Sequence, residues 1–213
     1  MSRLPTEDLI ERLASDAGPV KPLAAPLRRG MLAVAIAASA ALIVIAAAGN
    51  VPGMRARYAG REWLMAAETG AMLATAVIAI LAAFMVSVPG RTKLWLFAPL
   101  PTFAIWFAFS GIGCLMGSAG PDLDHTTDCL AFITVSSLVV GFPLLWCLSR
   151  ARPIEPVPVA LMGGLGAAAL SAFLLQFFHP FALSPIDLAV HFGAVLLVLG
   201  IAVLARRVTL APA

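Results

Sequence analysis

The sequence predicts an all-α membrane protein, with six transmembrane helices preceded by a short cytoplasmic amphipathic helix at the N-terminus. Hydrophobic residues make up 61% of the 213 residues and charged residues only 12%, a balance that excludes an ordinary water-soluble domain. The apolar residues fall into six runs, each close to the ~20 residues that cross the ~30 Å hydrocarbon core of a bilayer. We therefore expect two parts, a polar segment of residues 1–27 and a membrane domain of residues 28–213.

The N-terminal segment has the pattern of a short amphipathic helix followed by a linker. Leu9, Ile10 and Leu13 recur at helical spacing and share one face, while charged residues occupy most of the rest. Three prolines within residues 19–27 predict an extended linker. A helix of about three turns is marginal in water, so its apolar face should bind the inner leaflet, the rest of this protein or a soluble partner. The residues predicted to contact a partner are Glu7, Asp8, Leu9, Ile10, Leu13 and Asp16.

Six transmembrane spans follow this segment. Their connections are short, which predicts that successive helices form three antiparallel hairpins. Small residues at four-residue spacing in the fifth span, Gly164, Ala168 and Ala172, predict a close helix contact. Pro99 and Pro101 should bend the third span near one end. The predicted spans cover residues of about 30–49, 63–87, 94–116, 129–149, 158–178 and 187–205.

Basic residues predict that both termini lie in the cytoplasm. Of the 14 Lys and Arg residues, 11 lie on the side of the N-terminus, and the other three, Arg55, Arg57 and Arg61, share the first outer loop. That loop either contacts lipid headgroups or another loop, or is a local exception without meaning. The basic surplus is explained by topology in a bilayer, so we expect no direct contact with nucleic acid.

The predicted spans contain few residues that could take part in transport or catalysis. Glu68 is the only acidic residue that we expect at any depth in a span, whereas a transporter normally carries more intramembrane charge. An enzyme would need a nucleophile beside a base, or a cluster of metal ligands, and the helices contain neither. The sequence therefore predicts a protein without catalysis or cofactor. A small-molecule or ion transporter that uses Glu68 stays open as an alternative.

The predicted outer face carries two cysteines, at the end of the third span and the start of the fourth. In an oxidising compartment Cys114 and Cys129 could form a disulfide, or they could bind a soft metal ion as thiols. A membrane redox protein that uses this pair is a further alternative, and a merely solvated acidic loop is the simplest one. The third cysteine, Cys147, is expected to be structural. The candidate sensing residues are Cys114, Cys129, His125, Asp128 and His179.

The N-terminal pattern and the six-span plan resemble the NrsF family of bacterial inner-membrane anti-sigma factors. The resemblance rests on residues 7–23 and 27–29 and on three later stretches, residues 127–130, 145–153 and 163–172. It implies that the cytoplasmic segment binds an extracytoplasmic-function (ECF) sigma factor. It also implies that the membrane domain receives a periplasmic signal.

In the family that this chain resembles, periplasmic cysteines are implicated in sensing metal or oxidative stress. Cys129 matches the first family cysteine. Where the second is expected, this chain has Phe178, His179 and Pro180 and no cysteine. The resemblance therefore leaves three alternatives: Cys114 replaces the second cysteine, His179 serves as a ligand, or this protein senses another signal.

Overall fold

The structure is a computed structural model that describes residues 6–18, 22–116, 123–178 and 184–210, with the side chains of all of these but 123–126 and 209. The described residues form eight α-helices and one short 3-10 helix, Lys93–Leu96, and no strand. The helices are α1 (Thr6–Asp16), α2 (Pro26–Ala48), α3 (Val51–Arg57), α4 (Glu62–Val86), α5 (Leu100–Met116), α6 (Leu123–Ser149), α7 (Pro156–Leu175) and α8 (Pro185–Thr209).

Six helical segments are long and apolar enough to cross a membrane: α2, α4, the 3-10 helix with α5, α6, α7 and α8. The prediction of an all-α chain with six such spans is confirmed. The largest difference in the boundaries is at α6, which begins at Leu123 rather than near residue 129. The apolar run marks only the part of a helix that can lie in hydrocarbon, and the polar residues before Cys129 continue the same helix.

The third span is interrupted at its prolines. The 3-10 helix ends at Leu96, and α5 begins only at Leu100, with Pro101 in its first turn. A proline interrupts the backbone hydrogen bonds of a helix and clashes with the preceding turn. The bend that we predicted from Pro99 and Pro101 is therefore present as a break between two helical segments.

The core of the bundle is the contact between α4 and α7, which are not neighbours in the sequence. Ten consecutive residues of α7, Gly163–Ala172, are buried, so the predicted small-residue contact of this span is confirmed. At Gly166 an added Cβ would lie 2.7 Å from Cγ1 of Ile80, closer than Cβ atoms approach. The three predicted hairpins are not confirmed, since α5 and α6 make no extensive contact in the described part of the chain.

The two ends of the bundle are built differently, and we name each after its landmark. At the tether end, where α2 begins, a hydrophobic cluster joins four helices through Phe84, Leu148, Val159 and Ala202. At the opposite end, the α3 end, the short helix α3 lies against the end of α7, and the Asn50 amide donates to the Phe177 carbonyl at 2.8 Å. The Asn50 side chain also caps α3.

Candidate functional site

Helix α1 presents its large apolar side chains to solvent. All of its residues are exposed, and the side chains of Leu9, Ile10 and Leu13 are 46%, 60% and 64% exposed. Glu7 and Asp8 lie in the first turn, where acidic groups stabilise the positive end of the helix dipole. The predicted contact residues thus lie together on one exposed helix, which we call the α1 surface. Such a surface suits a hydrophobic groove with a basic rim.

The predicted sensing cysteines are free thiols in this structure. Cys114 and Cys129 are both buried, with exposures of 7% and 3%, while Asp128 is exposed. No group of three or more His, Cys, Asp and Glu side chains that could hold a metal ion is found among the residues that the structure describes. The predictions for the side chain of His125 and for His179 lie outside the described residues. Pairing and metal binding by the cysteines stay predictions.

A carboxylate at the start of α8 lies within electrostatic range of both cysteines. It belongs to Asp187. Asp187 is held by a capping box: the Ser184 amide donates to its carboxylate at 2.9 Å, and the Asp187 amide donates to the Ser184 hydroxyl at 3.2 Å. The α3 end therefore brings the start of α8 close to both predicted sensing thiols.

Five residues of the α3 end form a second, buried site, which we call the polar cluster: Arg57, Tyr58, Glu68, Ser110 and Gln176. Glu68 is 1% exposed, and each of its carboxylate oxygens accepts one hydrogen bond. Tyr58 donates to Oε2 at 2.7 Å, and Ser110 donates to Oε1 at 2.7 Å. These two bonds join α4 to the end of α3 and to α5.

The other half of the polar cluster ties α3 to the end of α7. The guanidinium of Arg57 donates to the side-chain oxygen of Gln176 and to its main-chain oxygen, the latter at 3.4 Å. It also lies over the Tyr58 ring, 4.8 Å from the centroid. The Gln176 amide nitrogen contacts the Met72 sulfur at 3.7 Å, so its oxygen is turned toward Arg57. Arg61 likewise donates to the Met116 carbonyl at the end of α5, at 3.4 Å. Two of the three arginines predicted for the first outer loop thus contact the ends of other helices.

The environment of Tyr58 keeps its phenolic hydroxyl protonated, so that the hydroxyl can donate a hydrogen bond. Burial of the phenol raises the pKa of Tyr58 above its ordinary value of about 10, and the neighbouring Glu68 carboxylate raises it further. Arg57 acts in the opposite direction but does not outweigh them. Tyr58 is therefore protonated at neutral pH and able to donate.

Sequence reasoning singled out Glu68 but missed Tyr58, Ser110 and Gln176. Two signals were present: Tyr58 is the only tyrosine in the chain, and Gln176 is a single polar residue at the end of an apolar run. A cap followed by proline, Asn50 with Pro52, would also have marked α3. None of these signals predicts that these residues are in contact with Glu68.

At the tether end most charged side chains are exposed, whereas Arg29 and Arg206 are half-buried. The guanidinium of Arg150 lies 4.3 Å from the centroid of the Trp146 ring, and that of Arg29 lies 5.2 Å from the Phe84 ring. Lys93, at the start of the 3-10 helix, and Glu155, just before α7, form an ion pair of 2.8 Å with both side chains more than half exposed. The exposed charges of this end thus stay in contact with solvent and outside the apolar core.

These features define a class: an all-helical protein with six potential membrane spans and a polar helix before the first of them. The sequence model of the NrsF family, described as negative regulator of sigma F, matches residues 13–211. Because the match covers nearly the whole chain, the protein belongs to the NrsF family. No curated protein and no solved structure matches the chain.

Membership in this family makes the protein a negative regulator of a sigma factor, and a sigma factor its partner. The regulator family also implies a role without catalysis. The matched residues begin at Leu13, within α1, and continue through all six potential spans. The first half of the α1 surface thus precedes the match.

Proposed function

We propose that this protein is a membrane-anchored anti-sigma factor of the bacterial inner membrane, which sequesters an ECF sigma factor through the α1 surface. One observation carries the proposal: α1 leaves Leu9, Ile10 and Leu13 exposed on a helix outside the six potential spans. Exposed large apolar side chains on a charged helix are typical of a segment that binds a protein groove.

The chemistry of α1 fits a sigma factor. Leu9, Ile10 and Leu13 would fill a hydrophobic groove, and the acidic residues Glu7, Asp8 and Asp16 would face its basic rim. A sigma factor must present basic surfaces to DNA, because phosphate contacts dominate such binding. An acidic helix therefore competes by charge as well as by shape.

The linker gives α1 room to bind. Between the end of α1 at Asp16 and the start of α2 at Pro26 lie residues 17–25, which reach at most about 30 Å when fully extended. This length allows a partner to bind α1 beside the membrane without a contact to the bundle. The bundle then acts as an anchor, and the partner is held away from RNA polymerase.

The charge distribution supports cytoplasmic termini. An even number of spans places both termini on one side, and 11 of the 14 basic residues lie on that side. In this orientation the tether end faces the cytoplasm and the α3 end faces the periplasm. An acidic helix such as α1 is repelled by the anionic inner leaflet, which favours a protein partner over the lipid surface.

We further propose that the periplasmic signal acts at Cys114 and Cys129, with the side chains of His125, Asp128 and His179 as additional ligands. Thiols bind soft metal ions and react with oxidants, and both cysteines are free at the predicted periplasmic end. A soft metal ion or an oxidant at this place would release the sigma factor.

The proposal is tested with Leu9→Ala and Leu13→Ala combined in the full-length protein. Two packed leucines at an interface contribute about 2 kcal/mol each when they are anchors, so binding should weaken by roughly a thousandfold. The measurement is co-purification and titration with the ECF sigma factors of the same host. The control is Leu23→Ala, an equally exposed leucine of the linker, which should bind as the unchanged protein does.

Membrane insertion of the double variant should be unchanged, because the described part of the bundle makes its core without α1. If the Leu9→Ala, Leu13→Ala protein bound the sigma factor as tightly as the unchanged protein does, the α1 surface would not be the binding site. Failure of the unchanged protein to bind any sigma factor would remove the proposed function itself.

A further inference from the structure

Helix α2 is the least buried of the six potential spans. Gly30 and Ala41 are its only buried residues. In the described part of the chain, α4 is the only helix with which α2 makes extensive contact. A groove therefore lies between α2 and α6, and side chains of α7 form its floor.

This groove, which we call the α2–α6 groove, is suited to an apolar occupant. Its volume is about 360 Å³, within the range of small-ligand sites. The floor consists of Leu170 and Leu174, while the exposed side chains of Val135 and Val139 lie at the rim, so the groove opens to the outside of the bundle. The one hydroxyl among its described lining residues, that of Ser136, donates to a carbonyl of its own helix.

An arginine lies on the same face of α2, toward the tether end. Arg29, Ala33, Ala37 and Ala40 follow one another at intervals of three or four residues, and the last two line the groove. The Arg29 guanidinium lies within electrostatic range of the Cys147 thiol of α6. Cys147 is two helical turns beyond the last α6 residue of the groove lining. The groove thus leads toward Arg29.

The charge of Arg29 lacks a carboxylate partner. Its Nη2 is buried without a hydrogen-bond partner among the described residues, and the side chain as a whole is half-buried, so part of the guanidinium stays accessible. Buried charges are normally paired. In the described part of the bundle, Glu155 is the only carboxylate at the tether end, and it is bound to Lys93. The exposed Arg28 and Arg150 add further positive charge.

The depth of the groove fits a phospholipid whose phosphate lies at Arg29. The groove lining begins at Ala37, eight residues or about 12 Å further along α2. The acyl chains of one leaflet extend over about 15 Å, half of the hydrocarbon core. One acyl chain of such a lipid therefore ends in the groove. A second copy of the chain, inserted in the same direction, would instead bring more arginines to this end.

We propose that the α2–α6 groove and Arg29 form a binding site for an anionic phospholipid. The guanidinium donates to the lipid phosphate, and one acyl chain lies in the groove. Basic pockets between membrane helices typically bind anionic headgroups. The bound lipid joins α6 to α2, the span that follows the linker and α1. The site rests on the membrane placement in the proposed function, but it does not require a sigma factor.

The test is native mass spectrometry of the full-length protein in detergent, titrated separately with phosphatidylglycerol and phosphatidylcholine. The unchanged protein should bind the anionic lipid about fivefold more tightly, the expected contribution of one arginine at a lipid surface. Arg29→Ala should lose this preference. The matched control is Arg207→Ala, which removes an exposed arginine of α8 at the same end and should keep the preference.

A second pair of variants tests the groove and keeps the outcome decisive if Arg29→Ala fails to fold. Ala40→Phe places a large side chain in the groove and should weaken the binding of phosphatidylglycerol about tenfold. Its matched control is Ala35→Phe, at an exposed position of the same helix outside the groove, which should bind as the unchanged protein does.

Several outcomes would overturn the proposal. Equal affinity of the unchanged protein for the two lipids is one, and full binding by Ala40→Phe is another. A dimer of the unchanged protein that Ala40→Phe dissociates would show that a second copy occupies the groove. Displacement of the lipid by soluble glycerol phosphate would show that Arg29 binds a free anion. The titrations contain no sigma factor, so their failure is distinguishable from a failure of the proposed function.

Discussion

The two ends of the bundle accommodate charge differently. At the tether end, Arg150 and the Lys93–Glu155 ion pair are exposed, and the half-buried Arg29 lies over the Phe84 ring. At the α3 end, Glu68 is buried and the half-buried Arg57 is hydrogen-bonded to Gln176 at the end of α7. Charge at the tether end fits a role in orienting the chain, whereas charge at the α3 end contributes to its tertiary structure.

This difference bears on the count of basic residues from which we propose the orientation of the chain. The positive-inside pattern concerns charges that stay in water beside the membrane. In the proposed orientation Arg57 departs from this pattern, and its guanidinium is bound to both oxygens of Gln176. The position of a basic residue that is hydrogen-bonded within the fold depends on that contact as well as on the orientation of the chain in the membrane.

The largest effect is expected from Glu68→Ala. It leaves the buried hydroxyls of Tyr58 and Ser110 without their acceptor and opens a cavity, at a cost of about 3 kcal/mol in the free energy of unfolding. Equilibrium unfolding of the solubilised protein measures it. Glu68→Gln keeps the shape and an acceptor oxygen, and should cost about 1 kcal/mol. If Glu68→Ala lowered the free energy of unfolding by less than about 1 kcal/mol, the polar cluster would not stabilise the α3 end.

Arg57→Ala should have an intermediate effect. It removes a charge-assisted bond to Gln176 and the contact with the Tyr58 ring, which together are expected to cost about 2 kcal/mol. The matched control is Arg55→Ala on the same short helix, whose side chain is exposed and should cost less than about 0.5 kcal/mol. Equal losses in the two variants would erase the proposed difference between the inward and the outward arginines.

The smallest effect is expected at the tether end. Lys93→Ala removes an ion pair between two exposed side chains, and such pairs contribute about 0.5 kcal/mol or less. A double-mutant cycle with Glu155→Ala isolates the pair energy, which should vanish at about 1 M salt. A coupling as large as the Arg57 effect, insensitive to salt, would contradict the comparison of the two ends.

Much of the fold was predictable because a bilayer leaves few structures open to an apolar chain. Backbone groups in hydrocarbon must bond internally, so each long apolar run becomes a helix. Small residues indicate close contact because they let two helices approach and pack tightly in a bilayer. Helix α7 is buried where Gly164, Ala168 and Ala172 predicted it. The contact partner was not predictable, since apolar helices resemble one another and two other spans lie between α4 and α7 in the sequence.

The candidate sites were predictable to different degrees. Leu9, Ile10 and Leu13 could be assigned to one face from spacing alone, because helical periodicity is a local property. Glu68 was recognisable as a buried acid, but its partners were not. Tyr58 and Gln176 are 118 residues apart in the sequence, and no short pattern records that distance.

The sequence by itself determined the number of potential spans, their approximate limits, the bend at Pro99 and Pro101 and the apolar face of α1. Each of these depends on residues within a single stretch of the chain. Only the tertiary structure decided that α4 packs on α7 and that Glu68 is enclosed by Tyr58 and Ser110. Those contacts depend on the rotation and register of whole helices. These follow from the combined packing of all six spans.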